Sequence, residues 1–338
     1  MNISDYYRLK HFIPWTRQKI YRMLLVSTVP TALFYWLHWH WLAIPWVPVA
    51  LLGTAAAFIS GFRNTQTYNR AWEARQIYGG IINSSRTIGT MLRDFVRLPD
   101  PVAEATTHRQ LFYRHFAWLT ALRFQLREPR SWETMKTRSY NREYMRYYKV
   151  PEWESNVADE LKPYLTPDEH TYILSTKNRA TQVLAVQSKQ LKELHEAGSI
   201  NDMNYAVLQQ QLKDLYDQQG RCERIKNYPY PRQFASINLY FINLLCFLLP
   251  FGFLGEFSKL IDKYGPGVVW LTVPFSVLIG WVFYSLEQIG EVTENPFEGN
   301  AKDVPVTQIS RNIEIDMREM LGDTQLPEPV KPVNDILM

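Results

Sequence analysis

Four windows of the sequence contain no Asp, Glu, Lys or Arg, and this feature constrains the fold more than any other. They are 19 to 23 residues long and cover residues 23–41, 44–62, 234–255 and 264–286. An α-helix needs roughly 20 apolar residues to cross the hydrocarbon core of a bilayer. The sequence therefore predicts an all-α integral membrane protein with four transmembrane helices, and it argues against a wholly soluble fold.

The rest of the 338-residue chain is too long for the short loops of a compact bundle. Arginines and lysines flank the first two windows on both sides, which places both termini in the cytoplasm of a multi-pass plasma (inner) membrane protein. The predicted division is a cytoplasmic segment (1–22), a transmembrane hairpin (23–62), a cytoplasmic helical domain (63–233), a second hairpin (234–286) and a cytoplasmic C-terminal segment with a flexible end (287–338).

The central region is predicted to be helical throughout. Apolar residues between 68 and 96 recur at steps of three to five, close to the helical period of 3.6. Similar apolar faces cover residues 112–126, 182–196 and 202–226, and no alternating strand pattern occurs. We therefore expect the large domain outside the membrane to consist of helices.

The sequence carries no enzyme signature such as His-Glu-x-x-His, a phosphate-binding glycine loop or Gly-x-Ser-x-Gly, so neither catalysis nor a cofactor is expected. The net charge of +4 is typical of basic loops in membrane proteins, and no nucleic-acid partner is expected. Cys222 and Cys246 cannot form a disulfide framework. His38 and His40 favour an interfacial aromatic belt over shared metal ligation, because residues two apart lie on different helix faces.

Thr54, Phe58 and Phe62 form one stripe along the second predicted crossing, because residues four apart share a helix face. From spacing alone, the favoured interpretation is that this stripe packs inside a bundle, where small residues let helices approach closely. The alternative places the stripe on a pore axis, where apolar rings can gate by dewetting. The small residues beside the stripe are Gly53, Ala55, Ala56, Ala57 and Gly61.

Several short motifs occur in a fixed order along the chain. They are Phe58-x-x-Gly61-Phe62, Arg70-x-Trp72, Tyr78-Gly79-Gly80-x-x-Asn83-x-Ser85-Arg86, Cys222-Glu223-Arg224, Leu248-Leu249-Pro250-Phe251, Glu291-x-x-x-Asn295-Pro296-Phe297, Asp303-x-Pro305 and Ile309-x-Arg311-x-Ile313-Glu314. In this order, from about residue 10 to about residue 322, the chain resembles the bestrophin family of ion channels, including its bacterial branch.

The resemblance implies a homopentamer with a central pore, in which the second crossing lines a hydrophobic neck at Thr54, Phe58 and Phe62. A constriction in the inner domain corresponds to Val183 or to its neighbour Gln182. The implied partners are permeant monovalent ions, membrane lipid and further copies of the chain. The other family-motif positions are Gly61, Arg70, Trp72, Glu291, Asn295, Pro296 and Phe297.

Two departures from the family pattern carry expectations of their own. Thr54 replaces the usual branched aliphatic residue, and its hydroxyl predicts a wetter mouth of the neck. The acidic run with which animal bestrophins bind calcium is replaced by residues 298–303, which contain two carboxylates and a lysine. Calcium prefers six to eight oxygen ligands, so calcium activation is not expected. Pro296 is expected to end the last helix and turn the tail back.

The arginines of the inner domain allow two interpretations. Arg70 either draws anions toward the vestibule or pairs with an acid such as Glu73, and the pairing is favoured. Trp72 is expected in the core. A solvated helix face is favoured over anion attraction for a further set, Arg109, Arg114, Arg123 and Arg127.

The family includes anion channels and cation-conducting members, so the resemblance leaves the ion open. Phenylalanine rings offer positive edges to an anion and negative faces to a cation. Aromatic residues at both lower neck positions, as in the animal channels, favour chloride or another monovalent anion; a sodium-conducting channel of the same fold is the alternative. A secondary transporter, which usually has repeated halves, and a membrane-anchored scaffold are less favoured.

Overall fold

The structure is a computed structural model that describes residues 1–338 apart from the side chain of Lys10. The described chain is almost entirely helical. Short 3₁₀ segments lie at His40–Leu42, Met145–Tyr147 and Pro266–Leu271. The α-helices are α1 (Leu9–Leu37), α2 (Trp46–Phe95), α3 (Pro101–Arg127), α4 (Ser139–Tyr144), α5 (Pro151–Glu154), α6 (Val157–Leu161), α7 (Pro167–Ser175), α8 (Arg179–Glu196), α9 (Asp202–Asn227), α10 (Arg232–Ser258), α11 (Ile261–Tyr264), α12 (Thr272–Thr293) and α13 (Val306–Met320).

Four segments are long and apolar enough to cross a membrane, as the charge-free windows predict. They contain α1, α2, α10 and α12, and together these helices form one bundle. Glycines allow close packing in this bundle. A Cβ on Gly280 of α12 would lie 2.5 Å from Cε of Met23 in α1, and one on Gly255 of α10 would clash with the carbonyl oxygen of Ile44 in the loop before α2. Small residues are the usual means of close helix packing in lipid.

Helix α2 connects the bundle to the rest of the molecule without a break. Its 50 residues span about 75 Å, more than twice the thickness of a hydrocarbon core of about 30 Å. Its proline, Pro48, lies in the first turn, where it is tolerated, so nothing interrupts the helix before Val96. Asp100 then starts α3 by accepting hydrogen bonds from two backbone amides.

The second half of α2 packs with α3, α8, α9 and α13 into a domain outside the apolar spans, called here the extramembrane domain. Its core is formed by apolar side chains from all five helices, including Ile81, Trp118, Leu184 and Leu215. Helix α9 matches the predicted run 202–226 to within one residue. Helices α3 and α8 enclose the predicted runs 112–126 and 182–196. The all-helical prediction is therefore confirmed.

The last residues of the chain, 333–338, are held against the first ones. Leu337 donates its backbone N–H to the carbonyl of Met1 at 2.8 Å. Ile336 and Met338 are buried in an aromatic cluster formed with α1 and α4. The expectation of a flexible end is therefore wrong for this segment, because two apolar side chains without helical spacing complete a cluster built by distant parts of the chain.

Candidate functional site

One long face of α2 is exposed on the surface of the chain. Phe58 is 77% exposed and Phe62 is 49% exposed, and Thr54 is exposed one turn before Phe58. The opposite side of the same helix, which includes Ala56 and Ser60, is buried against the bundle. The predicted stripe therefore does not pack inside the bundle of its own chain, and it is free to face a pore, lipid or another copy.

Two details describe the surface of this face. Thr54 donates its hydroxyl proton to the carbonyl oxygen of Ala50 at 3.0 Å, so the hydroxyl is engaged by its own helix. A Cβ on Gly61 would meet no atom within 4 Å. The exposed residues around Phe58 and Phe62 are therefore small, and these two aromatic rings are the largest side chains on this part of the face.

The packed face of α2 carries a buried arginine one residue after Phe62. Arg63 donates to Glu287 at 3.1 Å and to Glu294 at 3.2 Å, and all three side chains are buried. Arg232 at the start of α10 also pairs with Glu294 at 3.1 Å. A buried charge is stable only when it is paired, so this network fixes α2 against the end of α12.

Arg70 follows neither of the two interpretations offered for it. Its guanidinium donates to the backbone carbonyls of Ile225 and Tyr228 at the C-terminal end of α9. Those carbonyls lack partners within the helix, and a cation there also interacts favourably with the helix dipole. Glu73 pairs instead with Arg224. Arg70 is thus a cap that fixes α9 to α2.

Further charges of α2 are engaged in a similar way. Arg86 pairs with Asp316 of α13 at 2.7 Å, and Arg93 pairs with its neighbour Asp94 at 2.8 Å. Arg75 contacts the sulfur of Met1. Most charged side chains of α2 therefore contact other parts of the chain, and Arg93 and Asp94 pair with each other within the last turn of the helix.

Four amide side chains continue the exposed face below Phe62, and all four are exposed. Within the described part of the chain, none of them has a hydrogen-bond partner. Three of the four recur at seven-residue intervals from Phe62, a spacing that returns to nearly the same helix face. The amides are Gln66, Asn69, Gln76 and Asn83.

The last turns of α12 and the segment after it pack the family-motif residues against α2 and the region around α4. Glu291 accepts hydrogen bonds from Arg138, at 2.7 Å, and from the hydroxyl of Tyr140. Phe297 is 1% exposed and lies against Tyr78 of α2, with the ring centroids 5.9 Å apart. Asn295 and Pro296 lie just beyond the end of α12 at Thr293. The helix thus ends before the proline, as expected.

The carboxylates of this segment are held by donors of the protein itself. Asp303 accepts from the backbone N–H groups of Gly299 and Asn300 at 2.8 and 3.0 Å and from Arg127 at 3.3 Å. Burial raises the pKa of Asp303 to about 6, against the opposing effect of Arg127. Burial also raises the pKa of Glu298, which accepts from Thr134. That calcium does not bind here stays a prediction.

A family model described as bacterial and fungal bestrophin protein matches residues 13–319. This chain belongs to the bestrophin family. The bestrophin chain is 27% identical to the voltage-dependent anion channel-forming protein YneE of Escherichia coli strain K12, over 92% of this chain and 89% of that protein. It is 25% identical to the voltage-dependent anion channel-forming protein RSc3414 of Ralstonia nicotianae, over 93% and 90%.

Solved bestrophin structures have the same fold. A bacterial bestrophin homolog from Klebsiella pneumoniae superposes with a TM-score of 0.74 at 25% identity, and the match covers 91% of this chain and 99% of that one. These relatives are named channel-forming proteins and bestrophins rather than enzymes. The prediction of a membrane-spanning bestrophin is confirmed, and this bestrophin spans nearly the full length of its relatives.

Val183 does not occupy the position expected of a constriction residue. It is 1% exposed and lies in the core of the extramembrane domain, and a side chain buried within its own chain cannot narrow a pore lined by several chains. The structure therefore corrects the expectation for Val183. Gln182 is half-buried and accepts a hydrogen bond from Tyr172 at 2.9 Å, and its role stays a prediction.

Trp72 and the arginines of α3 also differ from expectation. Trp72 is 46% exposed and stacks on Tyr68, with the ring centroids 6.4 Å apart, so it is not part of the chain's core. Arg109 is exposed and pairs with an acid, as a solvated face predicts. The other three arginines are buried, because each forms an ion pair with an acid that is distant in the sequence. The pairs are Arg114 with Glu169, Arg123 with Glu152, and Arg127 with Asp303.

Sequence reasoning missed the amide face and the Arg63 network. The seven-residue spacing of Asn69, Gln76 and Asn83 from Phe62 is visible in the sequence and could have indicated the first. No local pattern indicates the second, because the acids that hold Arg63 lie more than 220 residues further along the chain.

Proposed function

We propose that this protein is a homopentameric ion channel whose pore is lined by the exposed face of α2. Thr54, Phe58 and Phe62 form the hydrophobic neck, and the pore continues along α2 through the extramembrane domain. The observation that carries the proposal is that two large aromatic side chains stand exposed on a helix whose other side is firmly packed. Five copies around one axis would bring these side chains together.

The proposed permeant ions are chloride and other monovalent anions. The similar proteins that are named anion channel-forming proteins support this choice. It is also supported by the part of α2 from Thr54 to Phe62, which contains no Asp or Glu. Aromatic ring edges carry partial positive charge and can face an anion. A hydrophobic neck of this kind controls flow by wetting and dewetting rather than by a charged ring.

The proposed orientation places the extramembrane domain and both termini in the cytoplasm of a bacterial inner membrane, with lipid around the bundle. Basic residues ahead of the first charge-free window, from Arg8 to Arg22, and along the second half of α2 support it through the positive-inside rule. The paired chain ends then lie on the cytoplasmic side together.

The test is the reversal potential of the purified protein in a planar bilayer under a NaCl gradient. A value near the chloride equilibrium potential supports the proposal, whereas a value near the sodium potential makes the protein a cation channel of the same fold. In the same assay, Phe58→Ala should change gating or conductance. Saturable transport far below channel rates, or a monomer by mass measurement in detergent, would contradict the channel or the pentamer.

A further inference from the structure

Beyond the proposed neck, the exposed residues of α2 that continue the line of Phe62 are the amides Gln66 and Asn69, and the exposed ring of Tyr68 lies to one side of them. Gln66 follows Phe62 by four residues and Asn69 follows it by seven, which places them about 6 Å and about 10 Å further along the helix axis. Both side chains are exposed, and within the described part of the chain neither has a hydrogen-bond partner.

The charged side chains that could compete with these amides are engaged elsewhere. Arg63 is buried between two carboxylates, Arg70 caps α9, and Glu73 is paired with Arg224. An ion that passes Phe62 along this face therefore first meets neutral groups. The amide N–H₂ group is a hydrogen-bond donor, and the amide oxygen is an acceptor.

A partly dehydrated ion leaving a hydrophobic neck needs polar groups that replace the lost water. An anion accepts hydrogen bonds from amide N–H groups, and a neutral donor holds it less tightly than an arginine would, so the ion can leave again. Gln66 and Asn69, which follow Phe58 and Phe62 on the exposed face, can supply such polar groups to the ion.

We propose that Gln66 and Asn69 form a binding site for a monovalent anion at the inner mouth of the neck and thereby determine selectivity and conductance. This inference rests on the proposed function, because the site forms only where several copies of α2 surround one pore. Gln76 and Asn83 continue the same face further from the neck, where the pore is expected to be wider and their influence weaker.

The experiment compares substitutions of opposite charge by reversal potential and single-channel conductance under a NaCl gradient. Gln66→Glu and Asn69→Asp keep the size of each side chain but replace the donor with a negative charge. We expect the chloride-to-sodium permeability ratio to fall by at least about tenfold, since like charges a few ångströms apart repel strongly even in water. Gln66→Lys and Asn69→Lys should shift the reversal potential in the opposite direction.

The control is Gln325→Glu, an isosteric change at an exposed amide in the segment after α13. It should leave the permeability ratio unchanged. If wild-type protein conducts chloride while the acidic and lysine variants behave like the control, or all shift in one direction, the anion site is overturned and the channel stands. If wild-type protein passes no current, or follows the sodium potential, the proposed function fails first and the site fails with it.

Discussion

The packed and exposed faces of α2 differ in whether their polar side chains have hydrogen-bond partners within the chain. On the packed face, Arg63 is buried and bonded to two acids, and Ser85 is buried against a histidine of α3. On the exposed face, Phe62 and Asn69 have no polar partner in the described chain. The comparison teaches that charge on the packed face of this helix holds its position, whereas the exposed stripe of Phe58, Phe62, Gln66 and Asn69 carries no charge.

The largest effect is expected from removing the buried arginine. Arg63→Ala leaves Glu287 and Glu294 buried without their shared partner, and breaking a buried ion pair in this way typically costs about 3 to 5 kcal/mol. Thermal or denaturant unfolding of the protein in detergent measures the loss. Arg86→Ala is the matched control, because its pair with Asp316 is exposed and should contribute at most about 1 kcal/mol. Equal losses in both variants would break the contrast between the faces.

Substitutions of two glycines compare a tightly packed position, Gly255, with an open one on the exposed face of α2, Gly61. Gly255→Ala would place a Cβ 2.3 Å from the carbonyl oxygen of Ile44, a backbone atom that cannot rotate away, so we expect a loss of about 1 to 3 kcal/mol. Gly61→Ala adds a methyl group where no atom lies within 4 Å and should gain up to about 1 kcal/mol from helix propensity. If Gly61→Ala were equally damaging in the assembled protein, the exposed face would be an interface rather than a pore wall.

We also expect the stability of the protein to depend on pH through a histidine that contacts the packed face of α2. His115 is buried and bonded to Ser85 of α2 at 2.9 Å, and burial lowers its pKa to about 3 from the usual 6.5. Between these values only the unfolded chain binds the proton, so this contribution to stability is complete above pH 6.5 and is lost as the pH falls.

At pH 5.5 the loss from His115 should be on the order of 1 kcal/mol. Unfolding measured at pH 7.5 and at pH 5.5 tests this. In His115→Gln, which cannot take up a proton, the difference between the two pH values should shrink by that amount. An unchanged pH dependence in this variant would show that other groups account for it.

The sequence predicted the helices well because their signals are local. A charge-free window and an apolar period are properties of neighbouring residues, and they located the four spans and the runs that became α3, α8 and α9. It also predicted the stripe of Thr54, Phe58 and Phe62, since spacing by four fixes the face. From spacing alone, the favoured interpretation placed that face inside the bundle, and the structure exposes it instead, because orientation depends on the other three helices.

Features that depend on distant partners were not predicted. Val183 fits the apolar period of α8 equally well as a core residue or a lining residue, and only its neighbours in α3 and α9 decide that it is buried. Arg63 reads as a residue that marks the end of a span, yet it is the centre of a buried network. Ile336 has too short a context to show any period, although it fills a cluster of the folded chain.

The central claim is that the exposed face of α2 lines the ion pathway, and cysteine modification tests it most directly. The two native cysteines, Cys222 and Cys246, are free and buried, so their reaction with a charged thiol reagent should be slow. Asn69→Cys places a thiol on the exposed face, and Gln325→Cys provides an exposed thiol far from it along the chain.

If the exposed face of α2 lines the ion pathway, a bulky anionic thiosulfonate abolishes most of the bilayer current of Asn69→Cys and leaves the current of Gln325→Cys unchanged. Mass measurement confirms that both thiols are labelled. Complete labelling of Asn69→Cys with no change in its current would contradict the claim, because a pore-lining position that carries a bulky charge must impede the ions that pass it.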